Sequence, residues 1–192
     1  MNLATKITLI RMILVPLFLV LILSNTLLTR LLALIIFLIG GISDTLDGII
    51  ARKQNSVTKV GTTMDPLADK LLITTALICF LGFRELNIPS WTIVVIVVRD
   101  YIITWLRSLD YDNPIPADKT AKVKTFLQNI IIIIILLILS FEKYLVKFGL
   151  DRFVIKRFPR DAMIFLSLFT LFSGIVYIIK YRKYIKEQFI KN

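Results

Sequence analysis

The chain has 192 residues, with 24 lysines and arginines against 13 acids, a net charge of +11, no histidine and one cysteine. Mean hydropathy is +0.80 and 57% of residues are hydrophobic, gathered in blocks of about twenty, the length that crosses a bilayer. This excludes a soluble domain, a disulfide scaffold and a histidine or thiolate metal centre, and basic residues that flank apolar blocks point to an anionic membrane surface rather than nucleic acid.

Six apolar blocks predict an all-α, polytopic membrane protein with one domain over residues 1–192 and six transmembrane helices, at roughly 7–24, 31–50, 66–83, 89–109, 123–140 and 162–180. The first block contains Pro16, lacks a small-residue cleavage site and precedes further spans, so it reads as a retained helix rather than a signal peptide. An even count puts both termini on one side. That side collects fifteen lysines and arginines against eight opposite, which predicts cytoplasmic termini. Near the start, Thr8 and Arg11 fall three apart on the first helix, where Arg11 either snorkels to the interface or meets a phosphate.

The second block ends in Gly40, Gly41, Ile42 and Ser43, small or lean residues that permit close helix approach. It runs into the stretch Asp44, Asp47, Gly48, Ala51, Arg52, Gly61, Asp65 and Asp69. On helices, Asp44 and Asp47 share one face and so do Asp65 and Asp69. A charge within a membrane helix costs roughly 2.5–3.5 kcal/mol, and like charges so close either take up a proton or share a cation. A hard divalent ion, Mg²⁺ or Mn²⁺, suits an all-oxygen donor set. The alternative is a set of capping aspartates paired with Arg52, Lys53 and Lys70. Residues 53–60 read as a turn, Asp65-Pro66 as the N-cap and first position of the third helix, and Lys70 as an interface anchor. Cys79, alone in an apolar run, reads as a packing residue.

The spacing D-x2-D-G-x2-A-R-x8-G-x3-D-x3-D matches, position for position, the signature of the CDP-alcohol phosphatidyltransferases, and the chain resembles that family. The resemblance implies an active site at the cytoplasmic helix ends, with Asp44, Asp47, Asp65 and Asp69 as metal ligands and Asp69 as the base that deprotonates the acceptor hydroxyl. It implies that Thr8, Gly48, Ala51, Arg52 and Gly61 contact the CDP-lipid. Thr5 stands where members often have asparagine in N-x-x-T-x-x-R.

The fourth block carries Arg99 and Asp100 near its middle, with Thr104 and Arg107 on the Asp100 face. An internal ion pair and an anion pocket are both open readings. After Pro114 and Pro116 the chain reads Lys119-Thr120-Ala121-Lys122-Val123-Lys124-Thr125-Phe126-Leu127-Gln128. Within the family this resembles the phosphatidylglycerophosphate synthases, whose usual pattern has Glu where Asp100 stands and Gly where Ala121 stands. The resemblance implies an acceptor phosphate bound by Arg11, Arg99, Arg107, Lys122 and Lys124, the last three converging on the cytoplasmic mouth. It implies transfer from CDP-diacylglycerol to glycerol 3-phosphate, in a bacterial inner membrane and in a possible homodimer. Phosphatidylglycerol and inositol phosphate are alternative acceptors, and a small divalent-cation transporter is the rival from another class. Residues 141–161 alternate basic with aromatic and aliphatic side chains, as either a short amphipathic element on the lipid surface or a solvated loop.

Overall fold

The computed structural model describes residues 3–54, 59–108 and 119–191, with side chains described for 10–41, 70–106, 120–142 and 144–182. Regular structure among them is entirely helical. In chain order the helices are α1 (Leu3–Leu23), α2 (Leu27–Gln54), α3 (Lys59–Phe80), α4 (Ser90–Ser108), α5 (Lys119–Lys147) and α6 (Arg152–Lys191), with a 3₁₀ turn at Arg84–Leu86. Each predicted block lies on its own helix, and the all-α expectation holds. Among the described residues, two stretches are long and apolar enough to cross a membrane, Thr120–Glu142 and Arg152–Arg182.

Local chemistry explains the breaks at one end of the bundle. Asn25 takes a left-handed conformation (φ 58°) after α1. Thr26 then caps α2: its Oγ1 accepts from the Thr29 N–H at 3.3 Å, and Thr29 Oγ1 accepts from the Thr26 N–H at 3.1 Å. After α5, Gly149 adopts φ 90°, which favours a residue without Cβ. The Gly149 and Leu150 N–H groups donate back to Val146 and Leu145, closing a Schellman turn. Asp151 Oδ1 then accepts from the Phe153 N–H at 2.9 Å and caps α6.

One apolar cluster draws on all six helices, from Phe18 and Ile22 of α1 through Phe37, Leu77, Phe80, Ile96, Ile132 and Leu136 to Met163 and Leu166 of α6. Cys79 is buried in it, as a packing residue should be. Many large side chains face outward instead, among them Ile13, Leu28, Phe126, Phe165 and Ile179. In water such a surface would drive association; against lipid it is solvated.

Two local expectations are corrected. α3 begins at Lys59, so Asp65 and Pro66 lie within the helix rather than at its first turn, and a proline there removes one backbone hydrogen bond. Residues 141–161 do not form a separate surface element, because α5 continues to Lys147 and α6 starts at Arg152. The basic and aromatic alternation therefore belongs to the ends of two long helices, where Arg157 pairs with Asp161 at 3.1 Å across one turn.

Candidate active site at one end of the bundle

Polar groups converge where α2, α3, α4 and α5 leave the apolar cluster. Asp100, on α4, is the centre. Lys124 of α5 donates to both its carboxylate oxygens, at 2.5 and 2.6 Å, and Arg99 Nη1 lies 3.2 Å from Oδ1. Lys70 of α3 reaches across to the Asp100 carbonyl at 2.8 Å and also donates to Thr104 Oγ1. Arg99 Nη2 donates to Ser173 of α6 at 2.7 Å. Four helices are thus tied through adjacent residues of α4.

Spacing along each helix makes this possible. Asp100 and Thr104 stack one turn apart, as do Lys124 and Gln128, whose Oε1 accepts from Lys124 Nζ at 2.5 Å. Lys124 is fully buried. An isolated ammonium ion there would cost several kcal/mol, which the Asp100 carboxylate and the Gln128 carbonyl oxygen offset. On α6, Gly174 makes room for Arg99: a Cβ added at Gly174 would stand 3.2 Å from Arg99 Cγ and 3.5 Å from its Nε. Ser173 and Gly174 together form a seat for that guanidinium.

Beside this network opens a cavity of about 690 Å³. Arg11, Lys70, Arg99 and Lys122 line it together with the single carboxylate of Asp100. Among the described residues, four cationic side chains and one carboxylate line it. Gly40 and Gly41 form part of its wall, and Gly40 packs so closely that a Cβ would come within 2.4 Å of Leu72 Cδ2. α2 continues from these glycines through Asp44 and Asp47, one and two turns on, and α3 passes Asp65 and Asp69 just before Lys70. By helix continuity the acidic motif belongs to the same end of the bundle as the cavity.

The side chains of Thr8, Asp44, Asp47, Gly48, Ala51, Arg52, Gly61, Asp65, Asp69 and Arg107 lie outside the described residues. The remaining expected site residues are Arg11, Arg99, Lys122 and Lys124. Three of these meet at the cavity. Lys124 does not reach the mouth with Lys122, because residues two apart on a helix point roughly 200° apart; it is buried in the ion pair instead. The ion-pair reading of the Arg99–Asp100 region thus describes the structure, and Arg99 and Asp100 also line the cavity. Lys70 corrects the interface-anchor expectation: it turns inward because α4 offers it a carbonyl and a hydroxyl. Sequence reasoning also passed over Thr74, Asn129, Ser173 and Gly174. Their only signal was polar or small residues interrupting apolar runs.

The family description CDP-alcohol phosphatidyltransferase matches residues 1–179. The chain belongs to that family. Several relatives share one name. A CDP-diacylglycerol–glycerol-3-phosphate 3-phosphatidyltransferase of Bacillus subtilis (strain 168) is 35% identical over 150 residues, covering 71% of this chain and 77% of that protein. Proteins of the same name from Rickettsia felis (35% over 138 residues, 71% of this chain and 75% of theirs) and Blochmanniella floridana (34% over 139 residues, 70% and 73%) are similarly close. As a family member with two long apolar helices, this phosphatidyltransferase is an integral membrane protein.

The donor set of the acidic motif fits a hard cation: four carboxylates on two helices, no histidine in the chain, and the one thiol buried in the apolar cluster. Asp44, Asp47, Asp65 and Asp69 are the residues that would hold it.

Proposed function

We propose that this phosphatidyltransferase moves the phosphatidyl group of CDP-diacylglycerol to glycerol 3-phosphate, giving phosphatidylglycerol phosphate and CMP. The observation that carries the reading is the cavity with four cationic side chains, set at the helix end where the acidic motif falls. An acceptor that itself bears a phosphate calls for cations beyond those serving the diphosphate. The names of the relatives support the same acceptor.

The bond changes follow from the chemistry. An acceptor hydroxyl oxygen attacks the phosphorus next to the diacylglycerol; the bond from that phosphorus to the bridging oxygen breaks, and CMP leaves with the electron pair. Asp69 takes the hydroxyl proton, a role that requires hydrogen-bond contact with the acceptor. Mg²⁺ or Mn²⁺ bound by the four aspartates would supply neutralising charge for the diphosphate. Thr8, Gly48, Ala51, Arg52 and Gly61 serve the CDP-lipid, Arg52 with planar donors and the small residues by admitting the headgroup. Arg11, Arg99, Arg107 and Lys122 draw in the acceptor phosphate, and Lys124 holds Asp100 in place beneath them.

This reading places six helices across a bacterial inner membrane, both termini and the cavity on the cytoplasmic side. The lipid donor then arrives sideways from the bilayer, while the acceptor and CMP exchange with water. The fifteen-to-eight excess of basic residues on that side supports it.

The test is CMP release by purified protein in detergent with CDP-diacylglycerol and Mg²⁺ or Mn²⁺, offering glycerol 3-phosphate, inositol phosphate, serine or phosphatidylglycerol in turn. Release with glycerol 3-phosphate alone is the expected result. Release with another acceptor only would overturn the acceptor, and silence with all four from folded protein would favour divalent-cation transport.

A further inference from the structure

Lys70 borders the cavity, but its ammonium group is turned to α4. Nζ donates to the Asp100 carbonyl at 2.8 Å and to Thr104 Oγ1, and Thr104 Oγ1 donates to that same carbonyl at 2.8 Å. The hydroxyl can take both parts because it has one proton to give and lone pairs to receive. Lys70 is thus held by two acceptors of α4 that are themselves joined.

The tie falls where α3 has lost a restraint of its own. Pro66 lies within the helix and has no N–H to give to the carbonyl four residues earlier, which weakens the turn between Asp65 and Asp69. Immediately after Asp69 come two contacts from other helices. Lys70 is bonded to α4, and Leu72 packs against Gly40 of α2, where a Cβ on the glycine would collide with the leucine side chain. Residues two apart point to nearly opposite sides of a helix. The leucine contact therefore sets how near α3 stands to α2, while the lysine contact resists rotation of α3 about its axis. A helix with its side chains is about 5–6 Å in radius, so a rotation of about 10° moves a side-chain end by about 1 Å. For a reacting group, a displacement of that size costs up to about 10²-fold in rate.

We infer that Lys70 is a positioning residue for the base: by fastening α3 to α4 it sets the rotation at which Asp69 is presented to the acceptor hydroxyl. This role depends on Asp69 being the base of the proposed reaction. It gives Lys70 no bond to the substrate phosphate and no share in the bond changes.

The experiment is steady-state CMP release by Lys70→Met, Thr104→Val and the double variant, each taken from the folded, monodisperse fraction in detergent. Lys70→Met keeps the length and loses the donors; Thr104→Val keeps the shape and loses one acceptor. The expected kcat is lowered about thirtyfold in Lys70→Met and about threefold in Thr104→Val, with the KM for glycerol 3-phosphate and for CDP-diacylglycerol changed by less than about twofold. The double variant should be no slower than Lys70→Met, since both changes remove the same tie. A rise in acceptor KM larger than the fall in kcat would make Lys70 a phosphate ligand and overturn the inference. So would an unchanged kcat, or losses that multiply in the double variant, the sign of two unrelated packing effects. If Lys70→Met does not fold, Thr104→Val decides: a lower kcat at constant KM supports the role, and an unchanged kcat overturns it. Asp69→Asn run alongside separates the two readings. Normal turnover there overturns the base itself, whereas loss of turnover there beside an unaltered Lys70→Met overturns only the positioning.

Discussion

At the end of the bundle that holds the turns after α1, α3 and α5, Arg30 of α2 is fastened to fixed groups. Its guanidinium donates to the Leu139 carbonyl of α5 and to Asn25, and it lies 5.4 Å from the Phe83 ring centre. At the other end Arg99 and Lys124 gather around the Asp100 carboxylate and Lys70 donates to its main-chain carbonyl, with Arg11 and Lys122 on the wall of an open cavity. Both ends bring cations inward, but among the described residues only the second gathers several of them beside a cavity. A cation engaged by a carbonyl, an amide and a ring is a fastener; cations lining a cavity are placed where the proposed anionic substrate would sit.

The comparison can be broken by removing charge. The largest effect is expected for Asp69→Asn, which should lower CMP release by about 10²–10⁴-fold by deleting the base, while the protein stays folded in the membrane. Normal turnover in that variant would remove Asp69 from its role. Next comes Asp100→Asn, which leaves Lys124 and Arg99 without their carboxylate. Losing one partner of a buried pair costs about 3 kcal/mol, visible as a markedly lower thermal transition in detergent. An unchanged transition would mean that the network does not hold α4 and α5 together.

A smaller effect tests the seat on α6. Gly174→Ala should displace Arg99 by a few tenths of an ångström and raise the acceptor KM about threefold, with the CDP-diacylglycerol KM unchanged, since placement of the guanidinium alone is altered. Equal changes in both would argue for a general packing role. The smallest effect belongs to the exposed Arg157–Asp161 pair, where both side chains are more than half exposed. Asp161→Asn should shift stability by less than about 0.5 kcal/mol, and the contrast with Asp100→Asn measures what burial adds to an otherwise similar pair.

Much of this was legible in the residue order. Blocks of apolar residues predict six helices because backbone polar groups in a bilayer must be satisfied within each segment. The acidic spacing identified the family because helical periodicity turns sequence gaps into shared faces. The helix boundaries were less legible. The start of α3 at Lys59 and the merging of residues 141–161 into α5 and α6 depend on how far hydrogen bonding continues beyond the apolar blocks.

Which basic residue faces what could be decided only by packing. Lys122 and Lys124 look alike in the sequence, and Lys70 looks like an interface anchor, yet one borders the cavity, one is buried on Asp100 and one crosses to α4. The seat formed by Ser173 and Gly174 has the same origin, since it joins α6 to a residue 74 positions earlier. Periodicity along a chain is set locally by backbone geometry, whereas partners between helices are set by the angle and depth at which those helices pack. The sequence by itself therefore determined the family and with it the class of chemistry; tertiary structure decided which basic side chains are locked in ion pairs and which border the cavity.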